Sequence, residues 1–316
     1  MKSFAFVFPG QGSQSVGMLD AWGDHAVVRE TLQEASEALG EDVARLIHEG
    51  PKEALALTTN TQPVMLVAGV AAWRAWRAEG GAMPLAVAGH SLGEYSALVA
   101  AGALTLAQAA PLVRLRASAM QEAVPVGTGA MAAILGLEAS KVIAGCAEAV
   151  AALGAVSGEV VEAVNFNDPI QTVIAGTKAA VDKACEILKA SGAKRALPLP
   201  VSAPFHSSLM KPAAEKLRVA LDGLVLAAPQ IPVVNNVDVA VHADPVSIKE
   251  ALYRQAFGPV RWVECVHALK ARGVTHVVEC GPGKVLAGLT KRIDGDLVGA
   301  TLFDPATLAE TRELLA

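Results

Sequence analysis

Residues 87–98 read VAGHSLGEYSAL and join an apolar run to a helix-compatible run. The apolar run, 84–88, predicts a strand, and residues 92–101 predict a helix. Between them, Gly89-His-Ser91-Leu-Gly93 matches the G-x-S-x-G pattern, in which a serine lies on a sharp strand-to-helix turn. Glycine is required on both sides of the serine because a side chain would collide with backbone in so tight a turn. The pattern therefore predicts an α/β fold with Ser91 as a candidate nucleophile.

Composition and charge exclude several classes of protein. The 316 residues are 53% hydrophobic and 18% charged, which excludes intrinsic disorder and fits one large domain or a large domain with a smaller partner. No apolar run reaches the ~18 residues that span a bilayer, and no cleavage signal precedes the first predicted strand, so we expect a cytoplasmic protein without membrane contact. The net charge of −5 argues against binding nucleic acid over a broad surface.

Neither the cysteines nor the glycine-rich loops match a metal or nucleotide motif. Cys146, Cys185, Cys265 and Cys280 form no C-x-x-C pair, so we expect reduced, mostly buried thiols, no metal site and no cofactor. Gly10-x-Gly12 follows the first strand, but Ser15 replaces the third glycine of a dinucleotide fingerprint. We interpret this loop as one whose backbone amides approach a bound group. Gly281-Pro-Gly283-Lys284 lacks the spacing of a phosphate loop and predicts a tight turn.

Strands and helices alternate on both sides of a segment with a different order. Residues 129–199 follow the order β-α-β-β-α-β, which is typical of a ferredoxin-like domain. Its strands are predicted at 130–135, 160–165, 171–175 and 194–199, and its helices at 139–153 and 178–190. We therefore predict an α/β fold in which a large subdomain with a mostly parallel sheet, residues 1–126 and 199–316, carries an inserted ferredoxin-like small subdomain, residues 127–198.

The large subdomain is predicted from the same kind of pattern. Before the insertion, a strand is predicted at 3–8 and helices at 24–39, 52–57, 62–78 and 105–124, the last capped by Thr105. After it, helices are predicted at 206–221, 245–257, 260–272 and 285–293. Strands are predicted at 233–237, 276–279 and 297–302.

A serine nucleophile needs a base within hydrogen-bond reach, and His206 is the best candidate. It follows Pro204 and Phe205 at a predicted helix start, and it comes after the serine, as in α/β-hydrolases. His90 lies inside the turn and is interpreted as structural. The remaining histidines have ordinary helix, strand or turn contexts and are interpreted as surface or packing residues: His25, His48, His242, His267 and His276. The alternative for Ser91 is a serine that only caps the following helix.

No acidic residue is an obvious third member of a Ser-His-Asp triad. The candidates between the serine and the histidine fall on the next two helices or in the insertion: Glu94, Glu122, Glu138, Glu148, Glu159, Glu162, Asp168, Asp182 and Glu186. We therefore expect a backbone carbonyl to orient His206, since a carbonyl accepts a hydrogen bond without adding charge.

Arg116 is predicted on an apolar helix face. It shares that face with Leu112 and Ala119, whereas Arg114 lies about 200° away and is expected in solvent. A guanidinium on an apolar face is costly without an anion. The anion is either a protein carboxylate in a structural ion pair or a substrate carboxylate held by both guanidinium nitrogens. An ordinary esterase has no use for the second arrangement.

The motifs together closely resemble the malonyl-CoA:acyl carrier protein transacylase family of type II fatty acid synthesis, over essentially the whole chain. They are, in order, Gly10-Gln-Gly-Ser-Gln14, Gly89-His-Ser-Leu-Gly-Glu94, QEAVPVGTGAM at 121–131, Phe205-His206, Asn235-Asn-Val237 and Gly281-Pro-Gly283. The resemblance implies an α/β-hydrolase-like large subdomain with a ferredoxin-like insertion.

The resemblance also implies a role for each site residue. Ser91 corresponds to the nucleophile, His206 to its base and Arg116 to the ligand of the malonyl carboxylate. Gln255 is the best match to the residue whose main-chain carbonyl supports the histidine. Phe205 resembles the malonyl-selecting residue of related polyketide acyltransferases.

The implied reaction is a ping-pong transfer of malonyl from CoA to the phosphopantetheine thiol of acyl carrier protein. The backbone N–H groups of Gln11 and Leu92 are implied as the oxyanion hole. Carrier proteins are acidic, so a local basic rim is expected. The candidates for that rim are Lys194, Arg195, Lys284, Lys291 and Arg292. We expect a monomer.

Three other functions remain open at this point. A trans-acting malonyl acyltransferase of a polyketide synthase would use identical chemistry. A serine thioesterase or hydrolase would share the G-x-S-x-G turn, but Arg116 and the missing acid argue against it. A non-catalytic binding subunit would use the turn only to start a helix, and it predicts no covalent malonyl adduct.

Overall fold

The computed structural model describes residues 2–154, 158–201 and 203–316. In chain order the strands are β1 (Phe4–Phe8), β2 (Ala86–Gly89), β3 (Gly129–Leu135), β4 (Val161–Asp168), β5 (Gln171–Thr177), β6 (Arg195–Pro198), β7 (Val233–Val234), β8 (His276–Cys280) and β9 (Val298–Leu302). The helices are α1 (Ala26–Leu39), α2 (Val43–Glu49), α3 (Lys52–Ala56), α4 (Thr58–Ala78), α5 (Gly93–Ala100), α6 (Leu106–Glu122), α7 (Ala139–Leu153), α8 (Lys178–Ala190), α9 (Lys211–Asp222), α10 (Pro245–Phe257), α11 (Trp262–Ala271), α12 (Val285–Ile293) and α13 (Pro305–Leu315).

The central sheet has the strand order β7-β2-β1-β8-β9, and each ladder between these neighbours is parallel. Side chains alternate across β1, so Phe4, Phe6 and Phe8 pack into one core while Ala5 and Val7 pack into another. Both faces are therefore covered, as expected of a parallel sheet with near-continuous apolar strands. The register pairs Phe8 with Gly89, which brings the carboxyl ends of β1 and β2 to the same edge.

The second sheet has the order β4-β5-β3-β6 with antiparallel ladders. Its strands and helices, from Gly129 to Pro198, follow the predicted β-α-β-β-α-β order, with α7 and α8 packed on one face. The predicted α/β class with a mostly parallel sheet and a ferredoxin-like insertion is confirmed. The subdomain limits at 126–127 and 198–199 stay predictions.

The two sheets meet where β4 reaches the large subdomain. Val260 N–H donates to the Val164 carbonyl (2.8 Å), and Phe166 N–H donates to the Val260 carbonyl (3.0 Å). The other face of the small sheet, which α7 and α8 leave open, includes Met131 and Val173 and lines a cavity against the large subdomain. This contact fixes the small sheet beside the carboxyl end of β2.

Several element boundaries differ from the prediction. The helix predicted from 62 begins at Thr58, because Asn60 and Thr61 N–H groups donate to the Leu57 carbonyl and close a turn ahead of Pro63. The helix predicted from 206 is wrong over its first residues: His206 has a φ of 66°, and α9 begins at Lys211. The strand predicted at 233–237 ends at Val234.

Helices α2 and α13 were not predicted, although each carries a capping residue. Asp42 accepts a hydrogen bond from Arg45 N–H at the start of α2 (2.9 Å), and Asp304 accepts from Thr307 N–H at the start of α13 (2.7 Å). All four cysteines are free, with Cys185 only half-buried. Within the described ranges, no helix has the length and hydropathy needed to cross a bilayer.

Candidate active site

Ser91 lies on the turn between β2 and α5, here called the elbow (residues 89–93). Its φ is 53°, a left-handed conformation that is rare for serine and typical of a strained functional turn. Both glycines of the elbow are required because a side chain at either position has no room. A Cβ on Gly89 would lie 1.9 Å from the Gly93 carbonyl group, and a Cβ on Gly93 would lie 2.0 Å from the Phe8 oxygen. The turn can therefore form only where both positions lack a side chain.

Gly93→Ala is expected to destabilise the protein by about 1–3 kcal/mol, because the added methyl group forces backbone of β1 and the elbow apart. Chemical denaturation monitored by circular dichroism measures the loss. Gly288→Ala is the matched control: it lies on the exposed side of α12 with no atom within 4 Å of the added carbon, and it should gain up to about 1 kcal/mol. Equal stabilities for the two variants would contradict this interpretation of the elbow.

His206 is within hydrogen-bond reach of Ser91. Its Nε2 lies 2.6 Å from Ser91 Oγ, and its Nδ1 lies 2.9 Å from the Gln255 carbonyl oxygen. A carbonyl only accepts, so Nδ1 carries the proton, and Nε2 is free to accept the serine proton. Burial and the nearby Arg116 charge lower the pKa of His206 to about 3, so the imidazole is neutral at ordinary pH and available to accept a proton.

Arg116 is buried beside the serine without a protein carboxylate. Its guanidinium donates to Gln62 Oε1 (2.5 Å), Gln255 Oε1 (3.1 Å) and Ser91 Oγ (3.2 Å). These acceptors are all neutral, its Nε has no partner, and no carboxylate of the described residues forms an ion pair with it. The structural ion pair considered for Arg116 is therefore not formed. Glu94 acts on the guanidinium only from beyond Gln255, so the cation next to the candidate nucleophile has no carboxylate in direct contact.

Arg114, two residues earlier, has the opposite environment. It forms an ion pair with Glu41 (2.6 Å) and donates to Asn60 Oδ1 (3.0 Å). Its side chain is 23% exposed, so it lies at the surface but is half-buried rather than fully in solvent as expected. Glu41 therefore balances the charge of Arg114 at the surface of the protein, whereas no carboxylate contacts Arg116.

The backbone N–H groups of Gln11 and Leu92 are available to a ligand. Neither has a hydrogen-bond acceptor among the residues that the structure describes. The loop after β1 lies close against the elbow, since a Cβ on Gly10 would lie 2.8 Å from the His90 oxygen. Both residues line the cavity that contains Ser91. Two unpaired donors in this position can stabilise an oxyanion formed at the serine.

The cavity between the two sheets has a volume of about 840 Å³. Ser91, His206 and Arg116 lie on its wall with the loop after β1. Much of the remaining lining is apolar and includes Met131, Val173, Phe205, Leu286 and Leu289. A cavity of this size, with a few convergent polar groups on an apolar lining, is typical of a small-molecule site.

The other predicted residues have structural contacts or lie on the surface. His90 Nε2 is 2.8 Å from Asn167 Oδ1, and its ring packs against Trp262, as a structural histidine would. The five residues of the proposed basic rim are all exposed. Arg292 forms an ion pair with Asp168 (2.8 Å). Lys284 lies over the Phe303 ring, and the residue after it, Val285, lines the cavity. In the described ranges, no group of three or more His, Cys, Asp or Glu could hold a metal ion.

Three polar residues at the site had no predicted role: Gln62, Glu94 and Asn236. Gln62 accepts from Arg116, while Asn236 Oδ1 accepts from Ser91 N–H (2.7 Å) and its Nδ2 donates to the Gly89 carbonyl (2.7 Å). The sequence signal for Asn236 was its place in the motif Asn235-Asn-Val237. Nothing in the local sequence indicates which atoms these side chains contact.

Comparison with known proteins gives a consistent result. The chain matches the family model described as an acyl transferase domain over residues 5–293. It is 54% identical over 310 residues to the malonyl CoA-acyl carrier protein transacylase of Salmonella typhimurium, and the alignment covers 98% of each chain. The crystal structure of an acyl-carrier-protein S-malonyltransferase from Burkholderia pseudomallei matches with a TM-score of 0.95 at 68% identity, over 99% of this chain and 100% of that chain.

A further solved structure includes a second protein. It is a malonyl-transacylase in complex with its type II PKS acyl-carrier protein. The match has a TM-score of 0.95 at 51% sequence identity and covers 99% of this chain and 100% of that chain. The similarity therefore extends over both sheets and the cavity between them.

Proposed function

This chain belongs to the acyl transferase domain family, and we propose that it transfers the malonyl group of malonyl-CoA to the phosphopantetheine thiol of acyl carrier protein. We further propose a ping-pong mechanism through a malonyl ester of Ser91. The observation that carries the proposal is Arg116, a buried cation without a protein carboxylate, 3.2 Å from Ser91 Oγ. An acyl group with its own carboxylate supplies the direct charged partner that Arg116 lacks.

The first half-reaction loads the serine. His206 Nε2 takes the Ser91 proton as Oγ attacks the thioester carbonyl, and the N–H groups of Gln11 and Leu92 bind the resulting oxyanion. Loss of one such donor typically costs about 10²–10³ in rate. The carbon–sulfur bond then breaks, His206 returns the proton to the departing thiolate, and CoA leaves as the free thiol. Arg116 keeps the malonyl carboxylate in place on the ester.

The second half-reaction is the reverse with a different thiol. The carrier-protein phosphopantetheine gives its proton to His206 and attacks the Ser91 ester through sulfur. The ester oxygen leaves and takes the proton back from His206, so the enzyme returns to its starting state. The Gln255 carbonyl holds Nδ1–H throughout, which keeps Nε2 directed at Ser91.

The carrier protein is the proposed partner. The named relatives are transacylases that act on acyl carrier protein, and one of them was solved with a type II PKS carrier protein. We assign its docking to a set of exposed basic residues, of which Lys284 is adjacent to the cavity-lining Val285. The full set is Lys194, Arg195, Lys284, Lys291 and Arg292. Fatty-acid and polyketide carrier proteins would use the same chemistry at Ser91.

Intact-mass spectrometry tests the proposal in two steps. Malonyl-CoA alone should add one malonyl group to the protein, and holo carrier protein should then remove it and appear as malonyl carrier protein. Free malonate as the main product would instead identify a thioesterase. No adduct in the presence of malonyl-CoA would indicate a non-catalytic binding protein.

A further inference from the structure

Glu94 is a buried carboxylate three residues after the candidate nucleophile. It lies in the first turn of α5 and is 2% exposed. Its Oε2 accepts hydrogen bonds from Asn236 N–H (2.9 Å) and from Gln255 Nε2 (3.0 Å). A buried carboxylate is costly unless it is well hydrogen-bonded, so its presence here requires an explanation. The proposed reaction does not use it.

Both partners of Glu94 contact the reacting residues. Asn236 accepts from Ser91 N–H and donates to the Gly89 carbonyl, so it bridges the two sides of the elbow. Gln255 donates from Nε2 to the Ser91 carbonyl (2.9 Å), and its own backbone carbonyl accepts from His206. One carboxylate oxygen therefore fixes the two residues that hold Ser91 in its left-handed conformation and His206 in its orientation.

We propose that Glu94 is a positioning residue for the Ser91–His206 pair, acting through Asn236 and Gln255 in the place of a triad acid. The inference rests on the proposed function, because it assumes that this pair reacts. Charge-assisted hydrogen bonds are roughly twice as strong as neutral ones, so an ionised Glu94 holds both amides more firmly than a neutral group of the same shape. In a Ser-His-Asp triad the acid contacts the histidine directly, whereas here a glutamine lies between them.

The charge of Glu94 depends on its surroundings. Burial raises its pKa to about 7, while Gln255, Asn236 and Arg116 on α6 act in the opposite direction. The other titratable groups that face it are Asp238 and His242 after β7, Tyr95 on α5 and Cys265 on α11. Protonation removes the negative charge from the acceptor. The rate at Ser91 should therefore rise as pH increases through about 7, a range in which His206 is already neutral.

Glu94→Gln tests this role with a nearly isosteric neutral side chain. We expect labelling of Ser91 by a fluorophosphonate probe, and malonyl loading from malonyl-CoA, to slow about tenfold at pH 8, with kcat affected more than KM. The rise near pH 7 should disappear in this variant. Glu279→Gln is the matched control, because Glu279 is also fully buried and burial raises its pKa to about 7, yet it accepts from Ala287 N–H at the start of α12. It should keep the wild-type labelling rate and pH profile.

The two assays separate the inference from the proposed function. Normal probe labelling without malonyl loading in the wild type overturns the proposed function and leaves the role of Glu94 measurable with the probe. Equal probe rates in Glu94→Gln and the wild type overturn the role of Glu94. If Glu94→Gln does not fold, the wild-type profile decides: a probe rate that does not change through about pH 7 overturns the inference.

Discussion

Ser91→Ala is expected to abolish the malonyl adduct that forms when the protein is incubated with malonyl-CoA. The reason is chemical, since alanine leaves no atom in the elbow that can attack the thioester. His206 Nε2 then has no hydroxyl to deprotonate, although the Gln255 carbonyl still holds its Nδ1. For a nucleophile and base that act as a unit, such a loss typically costs about 10⁶ in turnover. Intact-mass spectrometry of the variant measures the adduct directly.

Ser96→Ala is the matched control for this experiment. Ser96 is also buried and lies on α5, but it packs towards α4 rather than into the cavity. Its variant should acquire the malonyl group at the wild-type rate. An adduct that survives in Ser91→Ala would show that another residue is the nucleophile, provided that circular dichroism shows both variants folded.

The sequence predicted the elbow well because its requirements are local. A side chain at Gly89 would collide with the backbone of the elbow within five residues, and one at Gly93 would collide with β1. The pattern itself therefore encodes the turn. The helices at 139–153, 178–190, 245–257 and 285–293 were predicted with their observed limits, because their apolar periodicity is clear, and the third also has a side-chain cap at Asp244.

The conformation of His206 was not predictable in the same way. A histidine after proline before a helical pattern indicates a helix start, yet the residue adopts a φ of 66° and the helix begins at Lys211. The surroundings that hold this conformation include Gln255, which is 49 residues away in the sequence. Tertiary contacts therefore override the local preference, as they often do at functional sites.

The role of Glu94 shows a second limit. From the sequence it was one acid among nine without an obvious partner, because the acid of a Ser-His-Asp triad contacts the histidine directly. Its contacts are made through Asn236 and Gln255, which lie 142 and 161 residues further along the chain. Arg116, in contrast, could be placed on an apolar face from helical spacing alone, and it is buried as expected. What it lacks, a carboxylate partner, became evident only from the structure.

Arg116→Ala is expected to remove the preference for malonyl over acetyl thioesters. The malonyl carboxylate would lose charge-assisted hydrogen bonds worth about 1.5–3 kcal/mol, which corresponds to a fall of roughly 10- to 150-fold in kcat/KM for malonyl-CoA relative to acetyl-CoA. Arg114→Ala is the matched control on the same helix, because Arg114 pairs with Glu41 outside the cavity and should leave the preference unchanged. Unchanged selectivity in Arg116→Ala would show that the arginine is only structural.

Comparing acetyl-CoA with malonyl-CoA also separates the contact of Arg116 with the malonyl carboxylate from the effect of Arg116 on the pKa of His206. Arg116 is, after burial, the largest contribution that lowers the pKa of His206, so its removal should raise that pKa from about 3 and move the acid limb of the pH profile upwards. Both substrates share this shift, whereas only malonyl-CoA loses the carboxylate contact. The ratio of the two kcat/KM values should therefore fall at every pH. A loss of malonyl activity that disappears at higher pH would instead assign the effect of Arg116 to the pKa of His206 or of Glu94, both of which Arg116 lowers.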